Sequence, residues 1–459
     1  MRIAIAVLAL LAGCARPSGQ VQYGDTDSLL IEDVRIYPGA GSATVGPVTV
    51  VVEHGQIKAI TTVVPRADST RLNGRGRTLL PGLIDAHTHV AGSFASTWKP
   101  ELPNAAANLE RLLYAGITTV LDLGDPLSQL NDLRARVRRG ELVGPDLYFS
   151  GPHFGPARGH PAAVVRLMLP WPLDWLVARA FSFQIETVED VRAGLAAIER
   201  SGADVVKVTV DELPAGVPVL SEALLRETVA GAHRSGRRVF AHIGSVTDAL
   251  HAIQAGVDVL AHSVYKHALT KGEVRQIAAS GVTVISTVGV FDRTDELLNG
   301  RGVHSWTSLE RELAAPETLH ALAALPVETE IPAPMRRWLN VLAASRAAQV
   351  NNVVRLWAAG APIAVGTDSA IAGWIPGASM HQELARLVDA GMPPWAVLQA
   401  ATSGSAAALR RLDRGRIAPG YRADLVLVDG DPLREIRDTT QIVAVVRHGK
   451  LVHRNGPIY

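Results

Sequence analysis

Between Leu83 and Leu412, short apolar segments alternate with longer amphipathic ones. The short segments fall at 83–90, 117–123, 146–151, 203–210, 237–243, 257–262, 281–288 and 361–368. Short, mostly apolar runs of this kind mark strands buried on both faces. Between them lie stretches such as VEDVRAGLAAIERSG and SEALLRETVAGAHRSG, each ending near a glycine that can cap a helix. Eight buried strands alternating with helices predict an α/β protein, a (β/α)8 barrel, over residues 82–412.

The pattern changes on either side. LLIEDVRIY and PVTVVVEHGQIKAI before the barrel, and RADLVLVD and IVAVVRHGKLVHR after it, are short β-like runs broken by Gly and Pro. EHGQI and RHGKL each read as a tight hairpin with glycine in the turn. Residues 28–81 and 413–459 are therefore expected to form one small β-sandwich from both chain ends. Two insertions interrupt the barrel rhythm. One, at 160–185, carries two tryptophans and follows the third strand; the other, at 291–346, follows the seventh. Both leave from the end of the barrel where loops shape substrate pockets, so each either covers the barrel or lines its pocket.

Composition narrows the function. The chain has 459 residues, 47% of them hydrophobic, enough for a large core. Its 45 basic and 44 acidic residues nearly cancel, with no long basic run, which argues against nucleic acid as a partner. A small-molecule substrate is expected; oligomeric state is left open. The single cysteine, Cys14, cannot form an internal disulfide. Met1-Arg2, the apolar run Ile3 to Leu11 and Leu11-Ala12-Gly13-Cys14 read as a secretory signal (1–14) ending in a lipobox. That apolar run is too short to stay as a membrane-spanning helix. The expectation is a bacterial envelope protein lipid-anchored at Cys14, facing the periplasm from the outer membrane, with 15–27 as a flexible tether.

The candidate chemistry sits at the strand ends. In LIDAHTHV, alternation places Asp85, His87 and His89 on one face, toward the barrel axis. VFAHI ends the fifth strand with His242, VLAHS the sixth with His262, and IAVGTD the eighth with Asp368. Barrel active sites lie at this end of the strands, and imidazole and carboxylate together suit a divalent metal. Ala364 and Gly366 share the inward parity of Asp368 and leave room at the axis. In ADVVKVTV, Lys207 faces inward with Val205 and Thr209. A buried ammonium beside metal cations is unfavourable. Lys207 would pair with a carboxylate such as Asp85, snorkel to the mouth, or react with CO₂ to give an anionic carbamate ligand.

These motifs, with the tail ATSGSAAALRRLDRGRIAPGYRADLVLVDGDPL, resemble the amidohydrolase superfamily from about Leu29 to the C-terminus. Within it, the chain is most similar to the imidazolonepropionase-like branch that holds binuclear Xaa-Pro dipeptidases. The resemblance implies two zinc ions. His87, His89 and Asp368 would bind one, His242 and His262 the other, and carboxylated Lys207 would bridge them. It implies hydrolysis of a C–N bond by a bridging hydroxide, with Asp368 as the proton carrier. The substrate would be a Xaa-Pro dipeptide or an N-acyl amino acid. Two alternatives stay open: a mononuclear cyclic-amide hydrolase with unmodified Lys207, and a tethered binding lipoprotein without turnover. GPHFGPARGHP resembles the family's glycine-rich loop and would put His160 near substrate, though Ala157-Arg158 departs from its usual small residues. Arg158, Tyr265 and His381 complete the expected substrate contacts.

Overall fold

The computed structural model describes residues 17–24, 28–65, 69–95, 102–298, 305–324 and 331–459. Cys14 and its leader lie outside the described residues. All eight predicted barrel strands are present: Leu83–Thr88 (β1), Ile117–Asp122 (β2), Asp146–Phe149 (β3), Val206–Thr209 (β4), Val239–His242 (β5), Val259–Leu260 (β6), Thr283–Ser286 (β7) and Ile363–Val365 (β8). They run parallel in two sheets, β1 to β3 and β4 to β8, in sequence order. Backbone hydrogen bonds join the two sheets at both edges. Phe154 N–H donates to Lys207 O (2.8 Å) beyond β3, and Thr367 N–H donates to His87 O (2.9 Å) beyond β8.

Helices fill the connections, and several begin with reciprocal caps. Thr187 with Asp190, Ser245 with Asp248 and Thr270 with Glu273 each satisfy two backbone N–H groups at a helix start. Val206, Val208 and Val210 belong to the same core as Leu225 and Val229 of the following helix, while Val205 joins Phe240, Val259, Ile285 and Ala364 in a separate inner cluster. That division is what period-two alternation dictates for β4. On β1 the alternation is less regular: Ile84 and Ala86 join the inner cluster, and the β1–β2 pairing shifts register.

The described residues of the two chain ends build one hydrogen-bonded sheet of nine strands, with one strand branching off its main path. One face of it, including Leu29, Ile31, Val50, Leu79, Leu425 and Val446, forms a core of its own. The two hairpins are tight, with positive φ at both central residues: His54 and Gly55 (49° and 78°), His448 and Gly449 (50° and 76°). That is the geometry in which glycine matches the twist of the flanking strands. The tether expected at 15–27 is corrected in part. Val21–Tyr23 pairs antiparallel with the last strand, and Tyr23 Oη donates to Gly144 O at 3.0 Å.

The first insertion folds as two short helices, Ala162–Met168 and Leu173–Phe181, with Trp171 83% and Trp175 49% exposed. The second contributes Ser308–Leu313, Pro316–Ala323 and the start of a long helix, Ala333–Ala358. Among the described residues, no helix is long and apolar enough to cross a membrane.

Candidate metal centre

His87 lies on β1 and His89 just past it; Lys207 is on β4, and His242 ends β5. His262 follows β6 and Asp368 follows β8. These strand ends bring all six residues together. The donor atoms of His87, His262 and Asp368 lie within 4.8 Å of one another. Close approach of β8 to β1 requires Gly366, where a Cβ would come within 2.6 Å of His87 Cβ. Asp368 adopts a left-handed backbone (φ 56°), with its N–H on His87 O at 2.6 Å. Aspartate tolerates that region better than most residues, at a cost of about 1 kcal/mol.

Hydrogen bonds fix the imidazoles. His87 Nδ1 stands 2.8 Å from Ala261 O and must donate to it, because a carbonyl only accepts. Burial, reinforced by Lys207, keeps this ring well below the usual histidine pKa and therefore neutral. Its Nε2 lone pair faces Lys207 Nζ and Asp368 Oδ1, each 3.4 Å away. His242 Nε2 lies 3.3 Å from Asp211 Oδ2, which leaves its Nδ1 facing His262 Nε2 at 2.9 Å. His262 is tied at Nδ1 to Thr287 Oγ1 (2.7 Å), and burial holds it well below the usual histidine range. Two ring nitrogens meeting in this way are suited to a shared proton or a cation.

Electrostatics sort the remaining groups. Burial alone would push the Asp368 carboxyl up, but the His89 hydrogen bond and charge, with Lys207, outweigh it and hold it well below the usual carboxylate range. Burial likewise opposes charging His89, yet Asp368, 2.9 Å from its Nε2, together with Asp125 and Asp122, raises it to about 9. A metal would displace that proton. Lys207 is fully buried and makes no ion pair among the described residues; burial lowers its pKa to about 7. Asp85 is spent elsewhere, accepting from Thr367 N (3.0 Å), Thr367 Oγ1 (2.7 Å) and His87 N (3.2 Å). Neutral imidazoles at His87 and His262, an ionised carboxylate and a depressed lysine fit a divalent metal.

The expected substrate residues divide. His160 lies against the centre, its ring 4.6 Å from that of His242, with Nδ1 buried and unpartnered among the described residues. Arg158 is exposed and lines a cavity of about 310 Å³ with Pro156, Glu186 and Ser221. Two expectations are corrected. Tyr265 is buried, its hydroxyl donating to Asp211 Oδ2 (2.5 Å) and accepting from Trp338 Nε1 (3.2 Å), so it is committed to the protein. His381 bonds Thr439 Oγ1 and Ala115 O, each at 2.9 Å, at the end of the barrel opposite the mouth.

Four further residues belong to the site. Asp122 accepts from Val90 N (2.8 Å) and Asp125 from Ala91 N (2.7 Å), so the two carboxylates hold the loop beside His89. Asp122 carried the same signal as the ligands, a polar residue ending an apolar strand. His153, with Nδ1 3.0 Å from Thr209 Oγ1, and Asp211 lie in loops beyond strand periodicity.

Comparison with known proteins follows the same lines. Residues 78–452 match the Amidohydrolase family. An imidazolonepropionase of Streptomyces griseus is 46% identical over 80 residues, 16% of this chain and 19% of that protein. An uncharacterized protein of Mycobacterium bovis is 26% identical over 223 residues, 46% of this chain and 51% of its own length. The matched stretches thus span about half or less of these relatives. The crystal structure of a Xaa-Pro dipeptidase with methionine bound in its active site superposes with a TM-score of 0.74 at 21% identity, covering 92% of this chain and 99% of that one.

Proposed function

The chain belongs to the amidohydrolase family, and from that premise we propose that it hydrolyses an amide or peptide C–N bond at a divalent metal centre. The centre is built on His87, His89, Lys207, His242, His262 and Asp368, at the mouth of a (β/α)8 barrel. One observation carries the reading. His87 and His242 each have one ring nitrogen engaged by a fixed acceptor, Ala261 O and Asp211, and turn the other toward the shared site.

A divalent metal bound there supplies an acidified water and a polarised carbonyl. Asp368, held ionised, takes the proton of the attacking water and returns it to the leaving nitrogen. Two zinc ions are proposed, with Lys207 carboxylated between them. Its depressed pKa supports this, since the neutral amine is the form that bonds to the carbon of CO₂ and sheds a proton. His160 is proposed to touch the substrate, and Arg158 to meet a substrate carboxylate further out. A Xaa-Pro dipeptide or an N-acyl amino acid is the proposed substrate class, supported by the fold shared with the Xaa-Pro dipeptidase. The local identity to an imidazolonepropionase favours a second reading, a mononuclear cyclic-amide hydrolase with Lys207 unmodified.

Metal analysis of protein purified with bicarbonate, assayed against dipeptides, N-acyl amino acids and cyclic amides, separates the two. About two metals per chain with dipeptide hydrolysis supports the first; about one metal with cyclic-amide turnover supports the second; no metal overturns both. The leader motif supports a lipid anchor at Cys14 in the envelope. A Cys14→Ser protein that still partitions with membranes overturns that anchor.

A further inference from the structure

We propose that Asp211 is a positioning residue of the metal centre, holding His242 in the tautomer that leaves Nδ1 free, at the junction of a buried hydrogen-bond chain reaching from the second insertion. The proposal rests on the reading of His242 as a metal ligand.

Asp211 lies two residues past β4 and is fully buried. Three side chains converge on its carboxylate. His242 Nε2 stands 3.3 Å from Oδ2, Tyr265 Oη donates to Oδ2 at 2.5 Å, and Lys266 Nζ pairs with Oδ1. A carboxylate ionised between these donors can only accept, so the His242 proton sits on Nε2 and the Nδ1 lone pair points at His262.

The space for this junction is made by Gly244, just past β5. A Cβ there would come within 2.6 Å of Lys266 Cε and 2.7 Å of both Asp211 oxygens. Its carbonyl also accepts from Tyr265 N and Lys266 N, each at 3.1 Å. The chain continues outward. Trp338 Nε1 donates to Tyr265 Oη (3.2 Å) and Ser345 Oγ to Tyr265 O (2.7 Å), both from the helix Ala333–Ala358. Phe291 stacks on the Tyr265 ring at 4.1 Å. The second insertion therefore clamps Tyr265, which helps to orient Asp211, which orients His242. Without the carboxylate, the Lys266 cation would face the imidazole uncompensated and the ring could adopt either tautomer.

Outer partners of metal-binding histidines set ligand basicity and orientation, and removing one weakens metal binding about 10- to 100-fold. Competition with a chromophoric chelator measures zinc affinity, and the visible spectrum of the cobalt form reports ligand geometry. Asp211→Asn is expected to bind zinc about 10- to 100-fold more weakly and to change the cobalt spectrum. Lys266→Met leaves the carboxylate, still held by Tyr265, against His242 and is expected to stay within about threefold of the unaltered protein. Because Asp211→Asn alone leaves the half-buried Lys266 without its carboxylate, the double variant Asp211→Asn/Lys266→Met provides a folded check and is expected to bind as weakly as the single one. Unchanged affinity in the Asp211 variants, or a loss in Lys266→Met as large as in Asp211→Asn, overturns the role of Asp211 alone. An unaltered protein that takes up no metal overturns the centre itself, and this role with it.

Discussion

Lys207 Nζ stands 3.4 Å from His87 Nε2, deep in the barrel, with no carboxylate paired to it among the described residues. An ammonium so placed would pay the desolvation of its charge without a counter-ion in contact. Burial instead brings its pKa to about 7, so near neutral pH a large share of the lysine is a free amine. A free amine can become the anionic donor that the centre otherwise lacks between its two groups of histidines.

Lys207→Met preserves length and removes that chemistry. Its expected outcome is loss of about one metal per chain and a fall in turnover of at least about a hundredfold. Elemental analysis and steady-state kinetics measure both. Retention of full metal and activity would show that no carbamate forms.

Asp368→Asn keeps an oxygen donor for metal but loses the basicity that takes up a proton. Turnover is expected to fall about 10²- to 10⁴-fold while KM changes little. A parallel loss of metal would assign Asp368 a ligand role alone, and normal turnover with metal bound would remove it from catalysis.

Metal binding should depend on pH through His89. In the metal-free protein, Asp368, Asp125 and Asp122 raise this ring to about 9 against burial, so between pH 7 and 9 it is mostly protonated. A metal must displace that proton, and a process that releases a proton is favoured as pH rises. Apparent zinc affinity is expected to rise about tenfold per pH unit between pH 7 and about 9 and to flatten above it. Isothermal titration in buffers of different ionisation enthalpy counts the protons released; a flat profile over this window would mean that His89 is not a ligand.

The strand ends were legible because burial on both faces leaves a polar residue at such a position little reason but chemistry. His87, Lys207, His242, His262 and Asp368 each follow or interrupt an apolar run, and the structure gathers them. Asp211, Asp125 and Lys266 lie past the strands, where periodicity no longer says which way a side chain points. Tyr265 and His381 were misjudged for another reason. Whether a buried polar group is free depends on partners such as Asp211, Trp338 and Thr439, distant in sequence and visible only after folding. Val21–Tyr23 escaped notice because a three-residue strand carries no pattern of its own.

His381 and His160 offer a direct contrast between a histidine that holds the fold and one that faces the site. Both His381 nitrogens are bonded within the protein, and burial lowers its pKa to about 4, so it is a neutral link between Ala115 and Thr439. His381→Ala would strand these partners and is expected to cost about 1–3 kcal/mol of stability, with turnover per folded molecule unchanged. His160 is different. Among the described residues its buried Nδ1 has no partner although its ring lies against His242, and burial holds it neutral. His160→Ala leaves no hydrogen-bond partner of Nδ1 stranded among the described residues, so it is expected to cost only ring packing, about 1 kcal/mol. If the open nitrogen serves a substrate, turnover should fall at least about tenfold. Thermal unfolding and kinetics on the two variants should therefore move in opposite patterns. Full activity in His160→Ala would return His160 to the status of a packed core residue.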